Sequence, residues 1–283
     1  MKGVMGMDRF AGIRERLLAL AQAEAALKAV IAVGSSVRTD TPADEYSDLD
    51  LIIVTDAPEA FLTGDMPDRL GRAEISFTEP TLAGARERRL LYEGGLDVDM
   101  IVFAPETFRQ AVHRGELDVM ISRGCRVLHD EMGASALLRA RAGTANSFVP
   151  MSAEAFDTLV NEFFFHVVWT QKKLQRGEMW SAKMCMDAYM KRLLLRVIEL
   201  DRCREADVWH EGRFLDRWAG EETTAALRDC FAHYDAQDMA RALVATAQLF
   251  ARTARRAAAR HGYCYPQRAE EYAMAYLADA QSP

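Results

Sequence analysis

The chain has 283 residues, half of them apolar, and carries a formal net charge of −7 from 35 basic and 42 acidic residues. This length suits one large domain or two ordinary ones, and the acidic balance disfavours a nucleic-acid-binding protein, which needs a basic surface for phosphates. The sequence contains no run of 18 apolar residues, which argues against a membrane span. The first twenty residues lack the features of a signal peptide, so we expect a cytoplasmic protein.

The first 104 residues mix helical and strand patterns. Residues 8–27 carry apolar side chains at helical spacing, and residues 28–34 form an apolar run that ends at Gly34. Strand patterns follow over residues 46–54, 73–79 and 96–104, and residues 86–92 are predicted to form a helix. Strands that alternate with helices indicate a mixed sheet carrying helices.

From residue 151 onward, long helical patterns dominate, over residues 152–177, 180–202 and 238–262. Gly262 and the nearby Pro266 stop the last of them. We therefore predict an α+β protein, with a mixed sheet and helices in residues 1–147 and an all-α bundle in residues 148–283. The boundary is expected within residues 141–150, which contain Gly, Ser and Pro.

Two pairs of acidic residues lie at the start of predicted buried strands. Asp48 and Asp50 open the segment YSDLDLIIV, and Asp97 and Asp99 open LDVDMIVF. Residues two apart on a strand point to the same face, so each pair projects together. Like charges at the start of a buried strand are costly, unless a hard divalent cation with oxygen ligands compensates them. The alternative is that these carboxylates simply reach solvent.

A Gly-Ser pair, Gly34-Ser35, directly follows the apolar run of residues 28–34. Glycine allows backbone N–H groups to approach a phosphate closely, and the serine hydroxyl adds a donor. A Gly-Ser pair alone is not specific. The order of strand, Gly-Ser, strand with two aspartates and later strand with a third carboxylate is far more so.

This order resembles the signature of the polymerase-β-type nucleotidyltransferase superfamily. Within it, the chain is most similar to the aminoglycoside 6-adenylyltransferases, which modify streptomycin. The likeness includes AVIAVGSSVRTDTPADEYSDLDLIIVT, the helix NEFFFHVVWTQKKLQRGE and the C-terminal segment from residue 249. The resemblance implies antibiotic resistance by Mg²⁺-dependent transfer of AMP from ATP to a hydroxyl, with release of pyrophosphate.

The resemblance also implies roles for individual residues. Asp48 and Asp50 are expected to bind Mg²⁺, and Asp99 is expected to be a third metal ligand, a general base or both, with Asp97 as its rival. Gly34 and Ser35 are expected to hold the β- or γ-phosphate. Two lysines, Lys172 and Lys191, are the candidates for reaching the triphosphate from the helical part.

An aminoglycoside acceptor is a polycation, so its site is expected to contain carboxylates and aromatic side chains. Glu162, Asp187 and Phe165 are the candidates, although an ordinary solvent-facing or core position is an alternative for each. Two alternative functions remain. The protein transfers AMP to a different small hydroxylated molecule, or it is a non-catalytic nucleotide-sensing module. Five scattered cysteines and six histidines show neither a disulfide pattern nor zinc-ligand spacing.

Overall fold

The computed structural model describes residues 8–38, 41–141 and 148–281. The chain divides into two compact units, Met1–Ser147 and Phe148–Pro283. Most of the predicted boundary segment, residues 142–147, lies outside the described residues.

The first unit contains a six-stranded mixed sheet in the order β3-β4-β5-β2-β1-β6. Strands β2 and β5 pair in parallel, and the other neighbours pair antiparallel. The strands are β1 (Leu27–Val33), β2 (Leu49–Thr55), β3 (Ala73–Pro80), β4 (Arg86–Tyr92), β5 (Leu96–Phe103) and β6 (Arg126–Asp130). The helices are α1 (Ala11–Ala23), α2 (Pro58–Leu62), α3 (Pro105–His113), α4 (Asp118–Ser122) and α5 (Ala134–Arg141).

Helices cover the two faces of this sheet separately. One face carries Leu49, Leu51 and Ile53 of β2 and packs against α1 and α2. The opposite face carries Ile52 and Val54 of β2 and packs against α3, α4 and α5. Asp50, two residues before Ile52, therefore lies on the α3–α5 face, as the alternation of the strand predicts.

The prediction of a helix over residues 86–92 is wrong, because these residues form β4. The segment RERRLLY consists of residues with good intrinsic helix propensity, but β4 pairs with β3 on one side and β5 on the other. A short turn containing Gly94 and Gly95 joins β4 to β5, with Tyr92 paired to Leu96. Tertiary pairing overrides local propensity here. Strand β6 and helices α2 to α5 were not specified by the sequence patterns.

The described residues of the second unit form helices and connecting loops, with no strand among them. Its helices are α6 (Ala153–Gln175), α7 (Met179–Met184), α8 (Lys191–Arg202), α9 (Leu215–Trp218), α10 (Glu221–Leu227), α11 (Ala236–His261) and α12 (Gln267–Gln281). A π-helical segment, Cys185–Met190, joins α7 to α8. The predicted α+β class is thus confirmed, with a mixed sheet followed by a helical unit. None of the described helices is long and apolar enough to cross a bilayer.

Phenylalanines stack at the centre of the second unit. The rings of Phe163 on α6 and Phe250 on α11 are stacked, with centroids 3.6 Å apart and an angle of 2° between their planes. Phe164 packs edge-on against the same Phe250 ring at 5.7 Å. Phe165, the next residue on α6, is instead 65% exposed.

We expect Phe163→Ala to reduce the free energy of unfolding by about 3–5 kcal/mol, because it removes a fully buried ring and leaves a cavity. Phe165→Ala, two residues away on the same helix, is the matched control and should change that free energy by about 0.5 kcal/mol or less. Urea unfolding followed by circular dichroism measures both. Equal losses for the two variants would contradict this packing.

Candidate active site

A tight turn after β1 forms one side of the candidate site. Gly34–Ser36 makes a single 3₁₀ turn, in which Gly34 has a φ of 69°. Val33, the last residue of β1, pairs with Asp50 on β2, so the turn lies beside that carboxylate. The approach is close, because a Cβ atom on Gly34 would lie 1.8 Å from Oδ2 of Asp50.

Ser35 is nearly inaccessible in this turn, with 7% of its surface exposed. Its buried Oγ has no hydrogen-bond partner among the described residues. Buried hydroxyls are normally paired, so an unpaired one beside a glycine turn fits the binding of an additional polar group. A phosphate oxygen suits this position, as an acceptor for both the hydroxyl and nearby backbone N–H groups.

Three carboxylates converge next to the turn. Asp50 on β2 is directly paired with Asp99 on the parallel strand β5. Asp48, just before β2, completes the group, and one ligand oxygen from each of the three lies within 4.8 Å of the other two. The sequence alone predicts that each pair of acids shares a face, and the parallel pairing of β2 with β5 brings the two strands' acids together.

The electrostatics of the group are unfavourable without a cation. Asp99 is 4% exposed, and burial raises its pKa to about 7, although the guanidinium of Arg89 opposes the shift. Burial and the nearby Asp48 also raise the pKa of Asp97. One oxygen of Asp99, Oδ1, is buried and has no hydrogen-bond partner in the described part of the chain. Three clustered carboxylates with such an oxygen fit a hard divalent cation such as Mg²⁺.

This geometry distinguishes between Asp97 and Asp99 as candidates for the third carboxylate. Both lie on β5, but the group that could hold a metal contains Asp99 and does not include Asp97. Asp97 lies two residues before Asp99 on β5 and pairs with Leu91 of β4, whereas Asp99 pairs directly with Asp50 of β2. The geometry thus favours Asp99 as the third carboxylate, although its chemical role stays a prediction.

Three of the predicted residues of the second unit line one cavity of about 860 Å³ between α6 and α12. They are Glu162, Phe165 and Lys172, all on α6. The carboxylate of Glu162 accepts a hydrogen bond from the hydroxyl of Tyr189, and the Lys172 ammonium lies 5.7 Å from the ring centroid of Tyr276. This cavity therefore combines acidic, aromatic and basic side chains.

Asp187 and Lys191 lie elsewhere, in and just after the π-helical segment. Asp187 forms an ion pair with Lys183 at 2.7 Å. The Lys191 ammonium donates to Oγ1 of Thr246 at 3.0 Å and lies 5.0 Å from the centroid of the Phe231 ring. Burial lowers the pKa of Lys191 to about 8. The structure therefore gives both residues partners within the helical unit and does not place them on the α6–α12 cavity.

Comparison with known proteins decides the family. A family model described as streptomycin adenylyltransferase matches residues 7–280, which is nearly the whole chain. The chain belongs to the streptomycin adenylyltransferase family. It is therefore a nucleotidyltransferase of the aminoglycoside adenylyltransferase type, as the resemblance implied.

Two solved structures resemble this streptomycin adenylyltransferase family member. The first is an aminoglycoside 6-adenyltransferase from Bacillus subtilis, with 17% sequence identity, a TM-score of 0.45, and coverage of 96% of this chain and 98% of the other. The second is a nucleotidyltransferase-like protein from Exiguobacterium sibiricum 255-15, with 10% identity, a TM-score of 0.39, and coverage of 87% and 77%. No match was found among curated proteins.

Sequence reasoning missed one set of charged residues in this adenylyltransferase family member. Nη1 of Arg89 on β4 donates to Oδ2 of Asp99 at 2.8 Å, and its Nε donates to Glu79 on β3 at 2.6 Å. Glu87 lies near the same guanidinium, at 3.8 Å. Arg89 and Glu87 were missed because the sequence pattern predicts a helix over residues 86–92. Glu79 lies on β3, whose pairing with β4 that prediction excludes. The Gly-Gly turn before β5 was the available signal for a hairpin.

Proposed function

We propose that the protein transfers AMP from ATP to a hydroxyl of an aminoglycoside such as streptomycin, in a Mg²⁺-dependent reaction that releases pyrophosphate. The observation that carries the proposal is the group of Asp48, Asp50 and Asp99 beside the Gly34–Ser35 turn. Membership of the streptomycin adenylyltransferase family supports the choice of nucleotide and acceptor.

The turn after β1 is proposed to hold the β- or γ-phosphate of ATP. The backbone of Gly34 has no Cβ to block the approach of the triphosphate, and the buried Oγ of Ser35 offers a hydroxyl that has no partner in the described structure. This placement leaves the α-phosphate for the neighbouring acidic group. An in-line attack there makes the new bond between the acceptor oxygen and the α-phosphorus, and breaks the bond to the pyrophosphate.

Asp48 and Asp50 would hold Mg²⁺, with Asp99 as an additional ligand, a general base or both. When bound, Mg²⁺ supplies positive charge that neutralises phosphate oxygens and the charge that develops on them during transfer. Asp99 is suited to accept the proton of the attacking hydroxyl, because Arg89 holds Oδ2 while Oδ1 has no hydrogen-bond partner in the described structure.

The helical unit is proposed to provide contacts to the acceptor and the nucleotide. Glu162 and Phe165 would contact the cationic acceptor, and Lys172 on the same cavity would contact phosphate. Asp187 and Lys191 are retained as weaker members of these sets, since their side chains already contact Lys183 and Thr246. The domain roles, nucleotidyltransferase for residues 1–147 and helical acceptor domain for residues 148–283, belong to this proposal.

Purified protein incubated with ATP, Mg²⁺ and streptomycin should release pyrophosphate and form a product heavier than streptomycin by one adenylyl group. Excess EDTA should abolish the release, and added Mg²⁺ should restore it, because the three carboxylates need a cation. Coupled pyrophosphate detection and mass spectrometry measure the two products. Streptomycin omitted from the reaction is the control for ATP hydrolysis.

The same assay separates the alternatives. Transfer from labelled ATP to other hydroxylated small molecules, but to no aminoglycoside, would contradict the proposed acceptor and leave the transfer chemistry intact. Calorimetry with a non-hydrolysable ATP analogue tests the non-catalytic module. Binding that strengthens with Mg²⁺, together with no turnover on any acceptor, would contradict the proposed enzyme activity.

A further inference from the structure

The sheet face that carries Asp99 continues over the outer strands β4 and β3. Asp99 is paired with Arg89 on β4, and Arg89 is paired with Phe77 on β3. Asp97 is likewise aligned with Leu91, and Leu91 with Ile75. Paired residues on neighbouring strands point to the same face. Phe77 and Ile75 therefore lie on the face of the acidic group, and we call them, with Arg89 and Leu91, the outer strip.

The outer strip exposes two large apolar side chains. Phe77 is 51% exposed and Ile75 is 58% exposed, although both are on an edge strand. Edge strands are usually protected by charged residues, and neighbouring exposed apolar side chains more often mark a binding surface. Farther along the same face, Ile101 and Phe103 of β5 are buried under helices. The exposed apolar part thus lies at the end of the face where the carboxylates are.

The charge around the outer strip favours a cation. Its one guanidinium, that of Arg89, is already bound by Asp99 at 2.8 Å and Glu79 at 2.6 Å. Glu87 and Asp97 add two further carboxylates on the same face. Three carboxylates thus lie within 3.8 Å of the one guanidinium, and Asp97 adds a fourth on the same face, so this surface favours ammonium or guanidinium groups over phosphate.

We propose that the outer strip binds a second, cationic ring of the acceptor, next to the ring whose hydroxyl reacts at Asp99. This inference rests on the proposed function. Phe77 is two strands away from Asp99, which corresponds to about 10 Å at the usual strand spacing and suits two linked sugar rings. The ring's C–H face lies on Phe77 and Ile75, and its cationic groups interact with the Phe77 ring and with Glu79.

The test is acceptor selectivity in Phe77 variants. Phe77→Thr places another residue of good strand propensity at this position but removes the ring. It should raise the streptomycin KM about tenfold, while the ATP KM changes less than about twofold. Phe77→Tyr keeps the ring and should preserve both constants within about twofold. Val119→Thr, which alters a 43% exposed apolar residue on α4, is the matched control.

Two outcomes would overturn the inference. Unchanged streptomycin KM in Phe77→Thr would show that the outer strip does not contact the acceptor. An ATP KM that rises as much as the streptomycin KM would assign Phe77 to the nucleotide. Thermal unfolding measures whether the variants fold. Their Tm should stay close to that of the wild type, because Phe77 is half exposed.

Calorimetric titration of streptomycin, without turnover, keeps this inference separate from the proposed function. If the wild-type protein binds streptomycin but releases no pyrophosphate, the proposed function fails, and about tenfold weaker binding by Phe77→Thr still supports the outer strip. If the wild-type protein neither binds nor adenylylates any aminoglycoside, both proposals fall.

Discussion

Asp50→Asn is expected to lower the rate of aminoglycoside adenylylation at least about a thousandfold. Asp50 is aligned with Asp99 and belongs to the carboxylate group that could hold a metal. A neutral amide is a poorer ligand for Mg²⁺ and supplies no charge, so both metal affinity and transition-state stabilisation should fall. Steady-state pyrophosphate release at saturating ATP, over a range of Mg²⁺ concentrations, measures the loss.

The matched control for this variant is Asp56→Asn. Asp56 directly follows β2, at the opposite end of the strand from Asp50, and forms an ion pair with Lys28 at 3.1 Å. It should keep wild-type activity. Mg²⁺ with ATP should raise the Tm of the wild type and of Asp56→Asn, because a ligand that binds only the folded state stabilises it, and should have little effect on Asp50→Asn. A fully active Asp50→Asn would contradict the proposed metal site.

Gly34→Ala is expected to lower kcat/KM about a hundredfold or more. The new Cβ would lie 1.8 Å from Oδ2 of Asp50, so that carboxylate must move out of the acidic group. The alanine would also adopt a φ of 69°, which costs about 1–2 kcal/mol of stability for a residue with a Cβ. The expected cause of the lower activity is displacement of the proposed metal ligand Asp50, rather than the loss of stability.

Gly84→Ala separates these two effects. Gly84 has the same φ of 69°, but a Cβ there would meet no atom within 4 Å. Both variants should therefore lose the stability that a Cβ costs at this φ, as urea unfolding measures, while Gly84→Ala keeps its activity within about threefold. Equal losses of activity would mean that backbone strain explains the effect of Gly34→Ala, without a role for Asp50.

The acidic site could be predicted from the sequence because its signals are local. The alternation of Asp48 and Asp50 with apolar residues fixes their shared face, and the same rule applies to Asp97 and Asp99. The choice between Asp97 and Asp99 depends on the register of β2 against β5, which is a tertiary property. The family resemblance favoured Asp99, and Asp99 is the one of the two that belongs to the group of three carboxylates, while its role stays a prediction.

Other features could not be read from local patterns. Strand β4 has helix-forming residues, so only its pairing in the sheet shows which face Arg89 lies on. The same pairing aligns Phe77 of β3 with Arg89. The π-helical segment adds a residue to the turn and shifts the helix phase after it by about 100°. An unbroken 3.6-residue pattern therefore does not predict where Lys191 points, and Lys191 contacts Thr246.

Strand β5 joins the two halves of the sheet, and this has a consequence for the order of folding. The β3–β4 hairpin lies on one side of β5 and the β1–β2 pair on the other, so the two halves share no strand pairing without it. A nascent chain that ends before residue 96 already contains Asp48 and Asp50 but has no Asp99 to complete their group. Because such non-local pairings form slowly, acquisition of the proposed Mg²⁺ binding should report the moment when β5 inserts and the sheet becomes continuous.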